Sequence, residues 1–402
     1  MNICFFSIVT YWHGMKGGME VHGKILCEEL VKRGHEVTVI STMHPDGKGF
    51  EESNGIRLHY LNDTVFSAKR KGWKAASLRK FCELEQVKHF DIICSMSVII
   101  PKELIRNRNR IPVIVVSEGT GIMMLKSEIK QVFSHRNEFK DLINFFLSFI
   151  YNYIFWGLSL GKYDAVIAVS DEVARSTLKW YFVDKRKVYT VHNGIETNLF
   201  RPDQEQREHT RKALTISNNE KVLLFFGFVT KQKGLHLLIK ALPIILKNNK
   251  CVRLMVVGEG EYLDEAKLIV KQSGLENYAS FTGHIPRKDV FQYINASDIF
   301  IMPTLRQEGL PFALIEAMAC GKAVIASKIG GISSVVDDGI NGILMPPGDV
   351  SMLAEKVIFL LNNKDVADKL AVNARTKALQ MFSHEKMVEE TEKVFELAIT
   401  RK

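Results

Sequence analysis

The chain has 402 residues, 46% of them hydrophobic and 25% charged, and it carries a formal net charge of +9. This length is too great for one ordinary core and predicts two domains, while the composition is that of a globular protein. The positive charge favours an anionic partner, for which nucleic acid, a phosphorylated small molecule and an acidic membrane surface are the candidates.

The six cysteines are scattered and form no CxxC pair, so the spacing of a zinc site is missing and they are predicted to be reduced core residues. The first residues, MNICFFSIVTYW, lack the basic start and the long apolar run of a secretory signal, and they predict a buried strand. Both observations favour a cytoplasmic protein.

The first half of the chain alternates short apolar runs with amphipathic stretches. Helices are predicted at 20–33, at 75–88 and from Asp171, and strands at NICFFSIV, EVTVIS, GIRLHYL, FDIICS, IPVIVV, DAVIAVS and KVYTV. Strands buried on both faces and separated by helices predict a parallel, doubly wound sheet. Right-handed crossovers then place the strand-to-helix loops along one edge of that sheet.

One segment, Leu142–Leu160 (LINFFLSFIYNYIFWGLSL), carries no charge and is just long enough to span a bilayer. Asn144, Ser148 and Asn152 recur every four residues and form a polar stripe on this aromatic helix. The predicted strands before and after it must join one sheet, which disfavours a spanning helix. A packed helix and a helix lying in the membrane plane both remain open.

Much of the positive charge is local to the first half. Its basic residues form either a solvated face or a docking patch for an anionic surface, and the charge pattern leaves both open. They are Lys69, Arg70, Lys71, Lys74, Arg79, Lys80, Arg106, Arg108 and Arg110.

After His192 the polar stretch NGIETNLFRPDQEQREHT predicts a linker, and a second alternating series follows. We expect an N-terminal domain at 1–192, a linker at 193–204, a second domain at 205–383 and a C-terminal helix at 384–402 that packs back on the first domain. Helices of the second domain are predicted at 235–247, 262–273, from 287, 312–320 and 350–361, between strands at KVLLFFGF, VRLMVVG, ASFTGH, DIFIMP, AVIAS and GILMP. Two such domains with facing loop edges would form a ligand cleft.

Two loops carry glycine or lysine where a phosphate could bind. Gly17 and Gly18 lie between the first strand and its helix, where a backbone without side chains and free helix-start amides favour an anion. In GFVTKQKGL, Lys231 and Lys233 follow a strand and precede a helix. In isolation a plain glycine turn is an equally good interpretation, and for the lysines a solvated position is the commoner case.

The stretch EGLPFALIEAMACG, residues 308–321, gives the stronger signal. On one continuous helix its two glutamates would point about 80° apart, so Pro311 is predicted to begin the helix and leave Glu308 in a loop. Amides of Gly309 and Leu310 then suit a diphosphate, and Glu316 can accept two hydrogen bonds from a diol such as ribose. An unremarkable surface helix would need Glu316 exposed, although its neighbours are apolar.

These motifs resemble the retaining, nucleotide-sugar-dependent glycosyltransferases of family 4, which have the GT-B fold of two Rossmann-like domains facing across a cleft. The similarity covers nearly the whole chain. GGMEVHGKILCEELVKRGHEVTVIS resembles the family's first loop and helix, AVSDEVA its mid-chain signature and VHNGIETNLFRP its linker. The most specific part is EGLPFALIEAMACGKAVIAS with GGISSVVDDGINGILMPPGD, which contains the E-x7-E motif.

The resemblance implies that a sugar is transferred from a UDP- or GDP-sugar to an acceptor hydroxyl with retention of configuration, with no further cofactor. Glu316 would bind the donor ribose and Glu308 the transferred sugar. Amides of Gly309 and Leu310, joined by those of Gly17 and Gly18, would hold the diphosphate or the sugar. Lys233 would neutralise the leaving diphosphate.

The chain departs from the family pattern at three places. Phe228 replaces the usual Arg of the phosphate grip, with Lys231 and Arg306 as candidate substitutes. Glu118 lies nearest the place where many members carry His, and we expect it to orient the acceptor hydroxyl. Ser334 stands where Glu is common. No D-x-D occurs, so a metal-independent reaction is expected.

The first domain is expected to bind the acceptor, a glycan or a lipid-linked molecule in cell-surface polysaccharide or glycolipid synthesis, at the cytoplasmic face of a membrane. The alternative is a catalytically silent GT-B protein that binds a nucleotide sugar or a partner protein. A nucleic-acid-binding protein lacks a recognition module, and a dehydrogenase lacks the GxGxxG fingerprint.

Overall fold

A computed structural model of the chain describes residues 1–15, 17–68, 72–96, 100–106, 111–123, 147, 150 and 157–401. The chain forms two compact units. Unit 1 comprises residues 1–194 and 384–402, and unit 2 comprises residues 195–383. Of the stretch 193–204 that we expected as a linker, the first two residues belong to unit 1 and the others to unit 2.

Unit 1 is built on a sheet that has eight strands within the described residues, in the order β3-β4-β2-β1-β5-β6-β7-β8. The pairing is parallel except between β3 and β4, which are antiparallel. The strands are β1 (Asn2–Phe6), β2 (Glu36–Thr42), β3 (Phe50–Ser53), β4 (Ile56–Leu61), β5 (Ile92–Met96), β6 (Val113–Ser117), β7 (Ala165–Ala168) and β8 (Val188–Thr190).

The helices of unit 1 follow its strands, as a doubly wound sheet requires. Within the described part of residues 1–194 they are α1 (Gly18–Lys32), α2 (Trp73–Val87), α3 (Lys102–Arg106), α4 (Gly157–Leu160) and α5 (Asp171–Trp180). Every residue of β1, β5 and β6 is buried, because these central strands have neighbours on both edges and side chains packed on both faces. The chain runs outward in opposite directions from β1 and β5, so the topological switch point of unit 1 lies between them.

Unit 2 is built on a sheet that has, among the described residues, six parallel strands in the order β11-β10-β9-β12-β13-β14. Its switch point lies between β9 and β12. The strands are β9 (Lys221–Phe226), β10 (Val252–Val257), β11 (Ala279–Gly283), β12 (Ile299–Met302), β13 (Ala323–Ser327) and β14 (Ile343–Met345). The helices are α6 (Gln204–Ala213), α7 (Leu235–Asn248), α8 (Leu263–Gln272), α9 (Val290–Ala296), α10 (Phe312–Ala319), α11 (Ile332–Val335), α12 (Val350–Asn362) and α13 (Lys364–Met381).

The chain returns to unit 1 through α14 (His384–Thr400), the helix that we expected at 384–402. Its Glu392 accepts hydrogen bonds from Arg33 and His35, both at 2.8 Å, and thereby ties the helix to the turn between α1 and β2. Its Val388 and Phe395 are fully buried. The last helix of the chain is therefore part of the N-terminal fold.

The fold confirms the predicted class, two doubly wound parallel α/β units. It also contains elements that were not predicted from the sequence. The short edge strand β3 and the helices α3, α6, α11 and α13 were not predicted. The helix expected from residue 287 begins as a 3-10 turn, Arg287–Asp289, and becomes α9 at Val290. Boundaries of the other predicted elements shift by a few residues.

Two predicted surface features fall largely outside the described residues. Most of the aromatic segment 142–160 does, although its end forms α4. In the part of the chain that is described, no helix is both long and apolar enough to cross a bilayer. Of the basic residues, Arg79 pairs with Asp63, and Lys80 lies 2.7 Å from Glu83. Other basic residues of this set fall outside the described residues, namely Lys69, Arg70, Lys71, the side chain of Arg106, Arg108 and Arg110.

His59 of β4 should make unit 1 sensitive to acid. Burial, and after it the charge of Lys80, lowers the pKa of this imidazole to about 4, below its ordinary value of 6.5. Between these two pH values the unfolded chain binds the extra proton, so the free energy of unfolding falls as pH drops from 6.5 towards 4. His59→Gln should flatten this slope, recovering at most about 3 kcal/mol at low pH and less because the ring is only partly buried.

Urea unfolding at a series of pH values measures the slope. His89→Gln is the matched control, because His89 lies exposed in the same unit after α2. If the free energy of unfolding falls with pH as steeply in His59→Gln as in His89→Gln and the wild type, other groups cause the acid sensitivity.

Candidate active site

The loops after β9 and β12 meet at the switch point of unit 2. After β9 the chain forms the 3-10 turn Lys231–Lys233, and Gly234 then starts α7 with φ of 79°. A Cβ at Gly234 would lie 2.0 Å from the carbonyl oxygen of Pro303 in the other loop, so a side chain here would push the loops apart. The amide of Leu305 donates to the carbonyl of Gln232 at 2.8 Å and joins the two loops.

An ion pair lies at this junction. Lys233 Nζ is 2.7 Å from Oε1 of Glu308, and the hydroxyl of the buried Thr304 donates to the same oxygen at 3.2 Å. The side chains of Lys233 and Glu308 are 23% and 12% exposed, so solvent reaches both. The structure thus brings together two of the predicted site residues, which are 75 positions apart in the sequence.

The bend predicted at Pro311 is present. Pro311 is the extended residue before α10, so Glu308 lies in the loop and Glu316 in the second turn of the helix. Gly309 and Leu310 form the turn between them, where Leu310 is buried. The loop is fixed further on, because the amide of Gly331 donates to the carbonyl of Glu308 at 2.8 Å.

Glu316 is fully buried, which rules out the surface-helix alternative. The guanidinium of Arg287 forms an ion pair with Oε1. Among the described residues Oε2 has no hydrogen-bond partner. Burial raises the pKa of this carboxyl, and the charge of Arg287 opposes that rise. A buried acceptor without a donor is costly unless a ligand supplies the donor.

In unit 1 the predicted glycines stand at the start of α1. Gly17 precedes the helix in extended conformation, and Gly18 is its first residue. A Cβ at Gly17 would lie 2.4 Å from a carboxylate oxygen of Glu20. A pocket beside this helix start at the end of β1 is lined by Trp12, Glu20 and other residues of β1, β2, β5 and α1.

Glu118 follows β6 and contacts Nδ1 of His22, a residue of α1 that is almost fully buried. The sequence analysis missed His22 as it missed Arg287. A signal for His22 was present, since it lies one helical turn after Gly18 in GGMEVHG. No comparable signal marked Arg287, which is 29 positions from Glu316 and belongs to a different element.

Of the positions that depart from the family pattern, Phe228 and Ser334 lie in unit 2. Phe228 is 62% exposed in the loop after β9, and Lys231 is exposed nearby. Arg306 lies in the same loop as Glu308, two residues before it. Its amide donates to the hydroxyl of Thr304 at 3.2 Å. Ser334 donates to the carbonyl of Gly331 at 2.8 Å in α11. Within the described residues no group of three or more His, Cys, Asp and Glu side chains could hold a metal ion.

Solved structures with the same fold define the class. Sucrose-phosphate synthase from Thermosynechococcus elongatus matches with a TM-score of 0.80 at 20% identity, covering 100% of both chains. The Anabaena protein HepE in complex with UDP-glucose matches with a TM-score of 0.75 at 20% identity, covering 99% of this chain and 100% of that one. The fold is GT-B, as predicted.

Sequence comparison gives the family. The model for glycosyl transferases group 1 matches residues 206–377, and the model for glycosyltransferase family 4 matches residues 16–199. N-acetyl-alpha-D-glucosaminyl L-malate synthase from Bacillus anthracis is 26% identical over 94% of this chain and 93% of its own length. The chain belongs to the family 4 glycosyltransferases.

Proposed function

We propose that the protein transfers a sugar from a UDP- or GDP-sugar to an acceptor hydroxyl with retention of configuration and without a metal ion. The observation that carries this proposal is Glu316, a fully buried carboxylate whose Oε1 is paired with Arg287 and whose Oε2 has no hydrogen-bond partner among the described residues. A vicinal diol, such as that of a ribose, supplies two donors at the spacing of one carboxylate. The complex of HepE with UDP-glucose, a protein of the same fold, supports this donor class.

The donor then extends from Glu316 towards the ion pair at the switch point. Amides of Gly309 and Leu310 hold the diphosphate or the sugar, and Glu308 accepts hydrogen bonds from the hydroxyls of the transferred sugar. Lys233 lies beside Glu308, where its ammonium neutralises the charge that develops on the departing diphosphate. Lys231 and Arg306 are the further cations available in these loops.

The reaction proceeds on one face of the sugar. The bond between the anomeric carbon and the diphosphate oxygen breaks, and the acceptor oxygen forms its bond from the same side through an oxocarbenium-like transition state. The acceptor proton passes to the departing phosphate oxygen. In unit 1 Glu118, held by His22, orients the acceptor hydroxyl, and amides at Gly17 and Gly18 bind the diphosphate or the sugar.

The acceptor belongs to surface-glycan or glycolipid synthesis, as a glycan or a lipid-linked molecule at the cytoplasmic face of a membrane. A GDP-mannose-dependent phosphatidylinositol monomannoside mannosyltransferase of Mycolicibacterium smegmatis supports the lipid-linked class, with 30% identity over 55% of this chain. The net charge of +9 suits an anionic bilayer. Flotation with anionic liposomes at low salt, reversed at high salt, is the expected result, and no flotation at low salt would leave a soluble glycan acceptor.

A panel of UDP- and GDP-sugars tests the proposal. One donor should raise the melting temperature and release its nucleotide when acceptor is present. Nuclear magnetic resonance of the product should show the anomeric configuration of the donor. Donor binding without transfer to any acceptor would indicate the silent alternative, for which the exposed Phe228 in place of Arg is the supporting observation. Failure of every nucleotide sugar to bind would refute the proposal.

Gly330 should be required for turnover because it lets the chain pass the backbone of Glu308. Its φ is +54°, and a Cβ would lie 2.5 Å from the carbonyl oxygen of Glu308 and 2.7 Å from its amide nitrogen. Gly330→Ala must therefore move the loop that carries Glu308, and we expect kcat to fall by about a hundredfold.

The matched control is Gly339→Ala. Gly339 also has a positive φ, +72°, but a Cβ there meets nothing within 4 Å. Both variants incur the strain of a left-handed residue, about 1–2 kcal/mol, which urea unfolding measures. Equal kcat values for the two variants would contradict a role for the contact with Glu308.

A further inference from the structure

Arg287 occupies a defined place against Glu316. It begins the 3-10 turn before α9, and its guanidinium contacts Oε1 of Glu316. The carboxylate side chain is 1% exposed, whereas that of Arg287 is 30% exposed. The cation therefore approaches the buried charge from the solvent side.

Two aromatic rings hold the guanidinium in this position. Its Cζ lies 4.9 Å from the ring centroid of Phe312 and 5.8 Å from that of Phe200, and both rings are buried. A guanidinium over aromatic faces gains cation–π attraction and loses side-chain freedom. Phe312 lies one helical turn before Glu316 on α10, so the ring and the carboxylate keep a fixed relation.

The contact supplies charge at one oxygen of the carboxylate and leaves the other open. Arg287 is paired with Oε1, while Oε2 has no hydrogen-bond partner within the described residues. Cys320, directly after the end of α10, is buried, while Lys322 donates to the carbonyl of Asn295 at 2.9 Å. Arg375 donates to the carbonyl of Ala319. Of these charged groups, it is Arg287 that contacts the carboxylate.

We propose that Arg287 is a positioning residue that keeps Glu316 ionised, so that the carboxylate can accept hydrogen bonds from the hydroxyls of the ligand. This inference rests on the proposed function, in which those hydroxyls belong to the nucleotide of the donor. Without the cation a carboxyl in this fully buried place would take up a proton, and a protonated oxygen cannot accept from a diol as a carboxylate does.

Binding of UDP and of GDP, measured by calorimetry from pH 6.5 to pH 9, tests the inference. Because the nucleotide phosphates titrate in this range, the ratio of variant to wild-type affinity is compared at each pH. Arg287→Met should bind about tenfold more weakly at pH 6.5 and regain affinity as the pH rises, because Glu316 then loses its proton. Arg287→Lys keeps the charge and should follow the wild type across the range.

Arg253→Met is the matched control. Arg253 pairs with Glu220 at 2.8 Å near the start of β10. The loops that carry Lys233 and Glu308 lie at the other end of the strands, so the ratio of the affinity of Arg253→Met to that of the wild type should stay near one at every pH. A pH-independent ratio for Arg287→Met would overturn the inference.

Infrared spectroscopy of the free protein gives a second readout that needs no nucleotide. At pH 6.5 the spectrum of Arg287→Met should contain the carbonyl band of a protonated carboxyl. This band should be missing from the spectra of the wild type and of the double variant Arg287→Met/Glu316→Gln. Absence of this band in Arg287→Met would overturn the inference even if binding were weakened. Presence of the band in a protein whose wild type binds neither UDP nor GDP would refute the proposed function and leave the ionisation role of Arg287 standing.

Discussion

Lys233→Ala should lower kcat by about a hundred- to a thousandfold at saturating donor, while the donor still binds. The ammonium of Lys233 is held 2.7 Å from Glu308 at the switch point of unit 2, where it meets the charge that appears as the diphosphate departs. That charge is largest in the transition state. Loss of the ammonium therefore lowers kcat more than it weakens binding of the donor. Initial rates of nucleotide release at several donor concentrations separate the two quantities.

The control for this variant is Lys247→Ala, on an exposed position in the last turn of α7. It removes the same charge from the same unit and should leave kcat unchanged. Lys233→Arg keeps a cation and should retain more activity than Lys233→Ala. Unchanged turnover in Lys233→Ala at saturating donor would remove Lys233 from the reaction.

Glu316→Gln should weaken nucleotide binding about ten- to a hundredfold and leave the fold intact. The carboxylate offers acceptors to two ribose hydroxyls, whereas the amide has one acceptor and carries no charge, and each charge-assisted hydrogen bond contributes about 1.5–3 kcal/mol. A neutral side chain in this fully buried place also removes the desolvation cost of a charge, and Arg287, which loses its partner, is 30% exposed and can be solvated by water. We therefore expect the melting temperature to stay the same or to rise while affinity falls.

Calorimetric titration with UDP and GDP, together with thermal unfolding, measures both effects. Glu355→Gln on α12 is the matched control, because its carboxylate is 64% exposed and pairs with the neighbouring Lys356. Affinity and stability falling together in Glu316→Gln would indicate a structural role. Wild-type affinity in Glu316→Gln would contradict the role of this carboxylate in holding the donor.

Local sequence was sufficient for the features that depend on neighbours along the chain. The alternation of buried strands and helices predicted both sheets, and Pro311 predicted the bend that separates Glu308 from Glu316. The apolar neighbours of Glu316 predicted its burial. The pairing of Lys233 with Glu308 was not predicted, because it depends on β9 and β12 being neighbours at the switch point.

Features that depend on distant contacts could not be predicted. Arg287 meets Glu316 only because α9 and α10 pack on one sheet, and a basic residue in a polar turn carries no sign of this. The need for Gly330 likewise arises from the backbone of Glu308, 22 positions earlier. The edge strand β3 is short and only partly buried, so its alternation is weak, and the predominantly polar helices α6 and α13 lack the strong apolar pattern of the core helices.

The path of the chain sets an order for folding during synthesis. Unit 2 is one continuous stretch, and its two ends are joined where the amide of Ile195 donates to the carbonyl of Phe382 at 2.8 Å. Unit 1 lacks α14 until the ribosome has made nearly the whole protein, so its residues 1–194 emerge first yet are completed last. A nascent chain that stops before residue 384 would present the surface that α14 covers to chaperones, whereas its second unit would already be closed.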